Sequence, residues 1–218
     1  MREVAPMLLT IKLYTMNLLT QNTKIKLTGT ELKKKVFNFS IPAFKTALGK
    51  ITCPFADSCV KFCYAQKGNY KRFPSVRNSM EQKYTLTKQD NFIQLMNKEI
   101  IKKKPDFVRV HDSGDYYSKE YLNKWLTIAK ENTNVKFYSY TNSIKFIKDL
   151  ENIPNNFDFI FSDSGKQSNL IDKAKDRHTK IFKSIDSLNK LAYTDASKID
   201  LMSTKWYNKT NKVGLIFH

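Results

Sequence analysis

The chain has 218 residues, 41% of them hydrophobic and 13% aromatic, and a formal net charge of +18. That length and composition supply one domain with a real core. They exclude a membrane-spanning helix, because no apolar run approaches the roughly 20 residues a span needs. The first twenty residues lack the basic, apolar and small-residue succession of a signal peptide, so a cytoplasmic protein is expected. Of the 38 basic residues 33 are Lys and five are Arg. The charge therefore reads two ways: as the footprint of a nucleic-acid partner, or as solvated Lys from AT-rich coding. No arginine-rich run or alternation of aromatic and basic residues decides between them.

In chain order, residues 1–15 carry no clear pattern and are expected to be a dispensable N-terminal extension. A single α/β metal-binding domain is expected over 16–218. "KVFNFSI" (35–41) reads as the first strand, rich in aromatic and β-branched residues. The cysteine-bearing window 52–68 follows as a loop. Helical spacing then runs from about Ser75 to Lys104, broken near Thr87–Asn91 and stopped before Pro105. "FVRVHDS" (107–113) is the second strand. Ser118 is a candidate N-cap for a helix that places Leu122, Trp125, Leu126 and Ala129 on one face.

"VKFYSYT" (135–141) and "FDFIFSDS" (157–164) are further strands, with a short helix "SIKFIKDLENI" between them. "SNLIDKAKDRH" is expected to be helical, with His178 on its surface. "KLAYTDAS" (190–197) and "VGLIFH" (213–218) complete six strands. Alternating strands and helices imply parallel pairing with right-handed crossovers. The expected fold is a partial (β/α)6 barrel-like parallel sheet with a Cys-rich loop after the first strand; an open doubly wound sheet is the alternative. Four strands end in polar clusters, "HDSGD", "TNS", "SDSG" and "TDAS", at the ends that carry chemistry in such folds. Helix capping accounts for part of these residues. It leaves His111 and Asp115, which flank the "DSG" turn, unexplained.

The three cysteines of the chain, Cys53, Cys59 and Cys63, fall in one window, "TCPFADSCVKFCYAQKG". In a reducing compartment such a cluster points to metal rather than disulfides. A structural zinc site needs a fourth protein ligand, which His111 or Asp57 would have to supply. A three-Cys catalytic zinc lacks the His-x-Glu partner motif. Three thiolates suit a four-iron, four-sulfur (4Fe-4S) cluster whose fourth iron is left open for a non-protein ligand. Tyr64, next to the last Cys, would shield such a cluster.

"SIPAFKTALGKITCPFADSCVKFCYAQKGNY" and "RVHDSGDYYSKEYLNKWLTIAKENTNVKFYSYTNS" resemble the phage-encoded gene-product-88 domain family, from about residue 18 to "FIFSDSG" near 165. The resemblance implies a viral or mobile-element protein, hence the cytoplasm of a host cell, and no particular reaction. The chain is also distantly similar to radical S-adenosylmethionine cores, although their usual spacing is CxxxCxxC and this one is CxxxxxCxxxC. That similarity implies metal ligation by Cys53, Cys59 and Cys63, with S-adenosylmethionine completing the cluster and cleaved there to a radical. It implies Asp115 and His111 as the residues that orient the cofactor, and Ser113, Thr141 and Asn142 near its ribose or carboxylate. Asp163 and Asp195 would face a substrate, with a nucleotide or nucleic acid as the leading class. The other expectation is a non-catalytic zinc- or cluster-stabilised protein that binds nucleic acid or a host protein.

Overall fold

"FVRV" and "FDFIFS" are runs dominated by apolar residues, the pattern of strands covered on both sides. In the computed structural model, which describes residues 16–217, they are the second and fourth strands of one parallel sheet. The strands are β1 Val36–Phe39, β2 Phe107–Val110, β3 Lys136–Thr141, β4 Phe157–Ser162, β5 His178–Phe182, β6 Thr194–Asp195 and β7 Lys212–Ile216. They pair in the order β1-β2-β3-β4-β5-β7-β6, all parallel, and the sheet curls into a half-barrel. The expected extension, residues 1–15, lies outside the described residues.

The convex face packs on helices. Val108, Val110, Phe137, Phe157, Phe159 and Phe161 share one core with Phe92, Met96, Leu122, Trp125 and Ile128. The long helical stretch is two helices, Pro74–Thr87 and Phe92–Lys103, broken where expected. The second ends on Lys104 in the left-handed conformation (φ 49°), because a residue before Pro105 is kept out of the helical region. The helix Lys119–Glu131 starts at Ser118, whose Oγ accepts from Tyr121 N at 3.2 Å. Its Trp125 is fully buried and meets Phe39 edge-on at 5.1 Å.

The concave face is filled near the strand starts by Ile25, Val36, Phe107, Tyr138, Ile160, Leu201 and Val213. Ile25 comes from the helix Thr23–Leu32, capped by Asn22 Oδ1 on Ile25 N at 2.8 Å. Leu201 comes from the short helical turn Asp200–Ser203. Together they plug the bottom of the half-barrel and leave its upper end open.

Two expectations are corrected. Residues 168–178 form no α-helix. Asp176 Oδ2 accepts from Asp172 N at 2.8 Å, and Asp172 Oδ1 accepts from Ala174 N at 3.0 Å. These local bonds give the backbone an alternative to the helix. His178 is therefore not on a helical surface. It opens β5, is fully buried, and places its ring nitrogens 2.9 Å from Asp176 O and 3.0 Å from Tyr193 Oη. The expected strand 190–197 shrinks to Thr194–Asp195, because Ser184 caps a helix over Ile185–Lys190 first. The unexpected β5 brings the strands to seven, and β7 inserts between it and β6. Among the described residues no helix is long and apolar enough to cross a membrane.

Candidate functional site

The open upper end holds a cavity of about 620 Å³ at the C-terminal strand ends. Its roof is a run of short helical turns, Cys59–Phe62, Tyr64–Gln66 and Gly68–Arg72. Cys53, Cys59 and Cys63 all border it, as do residues 111–115 after β2, Asn142 after β3, Ser162 and Ser164 around the end of β4, and Ser197 after β6. The cysteine loop is held by bonds to these strand ends. Thr52 Oγ1 donates to Pro42 O at 2.6 Å, Asp115 N donates to Thr52 O at 3.1 Å, and Ser58 Oγ donates to Ser164 O at 3.1 Å. Gly165 is required here, since a Cβ would stand 2.3 Å from Asn142 Oδ1 and 2.7 Å from Phe55 O.

The three thiols are free and half-buried. Cys53 Sγ accepts from Phe44 N at 3.3 Å, and Asn142 Nδ2 lies 3.9 Å from Cys59 Sγ. Burial, then the Asp115 charge, pushes the Cys53 thiol far up; burial also raises Cys63, which feels Cys59 as a neighbouring charge. A thiolate in this setting needs a compensating cation. Among the described residues no three His, Cys, Asp or Glu side chains are gathered as the ligand set of one metal ion. Asp57 is exposed and off the cavity wall. His111 borders the cavity, but its Nε2 is 2.9 Å from Tyr121 Oη and its ring packs edge-on against Tyr116 at 4.6 Å. Burial, then Arg109, lowers its pKa to about 3, so it is neutral. Three thiols therefore border one cavity with Asp112 and Asp115, without being gathered around a single point.

Asp115 is buried and ties two strand ends together. Its Oδ1 accepts from Thr141 Oγ1 at 2.6 Å and Tyr116 N at 2.8 Å, and its Oδ2 accepts from Asn142 N at 2.8 Å. Burial raises its pKa to about 6 against the pull of those bonds. It does not cap the following helix, which Ser118 does. The Ser113 hydroxyl is committed to Ile41 O at 2.9 Å, and the Thr141 hydroxyl to Asp115. Asn142 is the one of that predicted trio whose side chain stands beside a thiol, and its buried Oδ1 has no hydrogen-bond partner. Asp163 pairs with Lys173 at 3.0 Å, and Asp195 Oδ1 accepts from Ser197 N at 2.8 Å. Tyr64 does roof the cavity: its hydroxyl donates to Asp112 while half its surface stays exposed.

The family model for gene product 88 matches residues 16–213. The chain belongs to the gene product 88 family. Among curated proteins and among solved structures, nothing matches it. The family match takes in all three cysteines, the "HDSGD" turn and the strand ends that meet around the cavity.

In this gene product 88 chain the cavity floor is a charged network that sequence reasoning missed. Arg109 Nη1 lies 3.1 Å from both oxygens of Asp200 and 3.5 Å from Asp112 Oδ1. Lys24 Nζ and Tyr138 Oη each reach Asp200 at 2.7 Å. The guanidinium lies over the Tyr140 ring at 4.7 Å, and the Tyr64 and Tyr70 hydroxyls donate to Asp112. Burial opposes the Asp200 charge, but Arg109 and Lys24 hold its pKa at about 2. The one signal in the sequence was an arginine inside the apolar run "FVRV", which a buried strand tolerates only with a partner.

Proposed function

We propose that this gene product 88 family chain is an iron–sulfur protein of viral or mobile-element origin, acting in the cytoplasm of a host as a radical S-adenosylmethionine-like enzyme. One observation carries the reading: three thiols and a buried carboxylate border the same cavity at the C-terminal ends of a parallel half-barrel. Cys53, Cys59 and Cys63 would hold a 4Fe-4S cluster. When bound, such a cluster supplies an electron and one iron open to a non-protein ligand. Asp115 keeps acceptor capacity beyond its three hydrogen bonds and would receive the amino group of S-adenosylmethionine. Asn142, anchored through its backbone to Asp115, would hold its side-chain amide beside Cys59 at the edge of the same site. His111, neutral and held by Tyr121, would shape the wall rather than move a proton. Tyr64 and the roof turns would exclude water.

Reconstitution without oxygen is the test. The protein is expected to take up roughly four irons and four sulfides per chain, as one such cluster requires, and to lose them when any of the three cysteines becomes Ala. Added S-adenosylmethionine should shift the electron paramagnetic resonance spectrum of the reduced protein and yield 5′-deoxyadenosine. Asp115→Ala should keep the iron and lose that shift. Stoichiometric zinc without sulfide would overturn the metal assignment. A spectrum unmoved by S-adenosylmethionine, with no cleavage product, would overturn the radical chemistry alone.

A further inference from the structure

We infer that the cavity roof, residues 59–77, is a docking surface for single-stranded nucleic acid, which presents one nucleotide to the cavity beneath. The inference names a substrate class for the proposed site and rests on that reading. One side of this segment lines the cavity through Cys59, Cys63, Tyr64 and Tyr70. The other side is exposed and carries Lys61, Lys67, Lys71, Arg72 and Arg77. From Ser58 to Met80 the chain has no Asp or Glu. None of these five cations forms an ion pair with a carboxylate among the described residues, whereas others, such as Lys24, Lys119 and Arg177, do.

Aromatic rings stand between the charges. Phe73 is 46% exposed with the Arg72 guanidinium 5.7 Å from its ring centre, and Tyr64 is 52% exposed. Unpaired cations track a phosphate backbone, and exposed rings offer faces on which bases stack. A lipid surface would call for a contiguous apolar face, and here each exposed ring has basic neighbours in the chain. A duplex would keep its bases stacked and paired, away from a cavity beneath the surface, so a single strand is the form that fits. The cavity, about 620 Å³, lies within the range of small-molecule sites and opens beneath this segment.

The experiment is fluorescence anisotropy of a labelled 15-nucleotide single strand, as RNA and as DNA, with iron content measured on every sample. Wild-type protein is expected to bind, and to weaken about 50-fold between 50 and 200 mM salt, the slope for about four neutralised phosphates on a single strand. Charge reversal at Lys67, Lys71 and Arg72 should weaken binding more than tenfold with iron unchanged. The same reversal at Lys102, Lys130 and Lys190, on other helices, should weaken it far less. Phe73→Ala, an exposed change that keeps the charge, should cost about tenfold through lost stacking.

Absence of binding at 50 mM salt, equal losses in the two charge-reversed proteins, or binding to anionic phospholipid vesicles in place of the strand would each overturn the inference. Wild-type protein that takes up no iron on anaerobic reconstitution, yet binds through the roof, would instead overturn the iron–sulfur reading and leave the docking surface standing.

Discussion

Asp200 is a heavily engaged buried carboxylate, and replacing it with Asn tests how the bottom of the half-barrel is held. It is fully buried, receives Arg109 and Lys24 as cations and Tyr138 as a donor, and its backbone N donates to Thr28 Oγ1 at 2.8 Å. Asp200→Asn keeps the size and the tyrosine bond but leaves the buried Arg109 with only its longer, 3.5 Å pairing to Asp112. Breaking a buried pair from one side costs about 3–5 kcal/mol. For a chain of this length each kcal/mol moves the melting temperature by about 2–4 °C, so a fall of about 10 °C is expected. The same residue sets an acid dependence. Its pKa falls from 3.8 unfolded to about 2 folded. Its contribution is therefore present above pH 4 and lost as pH falls through 3.8 towards 2, about 2.5 kcal/mol in all. Thermal melts at pH 7 measure the first effect, and urea denaturation along a series down to pH 2.5 measures the second, both followed by tryptophan fluorescence. A variant melting within about 2 °C of wild type, with the same acid slope, would refute the view that this pair holds the bottom of the half-barrel.

His111, neutral when folded with a pKa of about 3, gains a proton on unfolding below pH 6.5. Folding should therefore weaken as pH falls from 6.5, by about 3 kcal/mol between pH 7 and 4.5, and His111→Gln should remove that slope in urea midpoints. Lys83 is buried, and burial lowers its pKa from 10.5 to about 8 despite Glu99. Stability should rise by about 3 kcal/mol as pH climbs from 8 to 10.5, and the rise should vanish in Lys83→Met. Gly165→Ala drives a Cβ into Asn142 and the Phe55 carbonyl, an overpacking of about 1–3 kcal/mol. Iron retention after reconstitution, timed against a chelator, should fall more than global stability does.

How far the sequence reached depended on the range of the interactions. Strands β1 to β4, the split at Thr87–Asn91 and the helix opened by Ser118 were legible because their signals are periodic or sit within three residues of one another. β5 was not, because Asp172 and Asp176 spend their side chains on a turn that imitates no periodicity. The thiols could be grouped from spacing alone. Asp115 could be suspected, but its partners Thr141 and Asn142 lie 26 and 27 residues away, so its tie between two strand ends was invisible. Arg109 and Asp200 are 91 residues apart. The cationic roof was present as an acid-free stretch, yet its aromatic residues were read together with the cysteines and its charge with the whole chain.

The junction where the turn at Gly165 leans on Ala56 and Phe55 has a consequence for the order of events during synthesis. Lys166 N donates to Phe55 O at 2.8 Å, Ser58 donates to Ser164, and the bond from Asp200 to Thr28 spans 172 residues. Such contacts form only after the intervening chain exists, and high sequence separation slows their formation. The cysteine loop emerges from the ribosome more than a hundred residues before its support does. Its thiols therefore spend that interval without the scaffold that spaces them. On the proposed iron–sulfur reading, a cluster would meet its three ligands at their final spacing only after the sheet has closed, and thiols waiting through that interval would be open to oxidation.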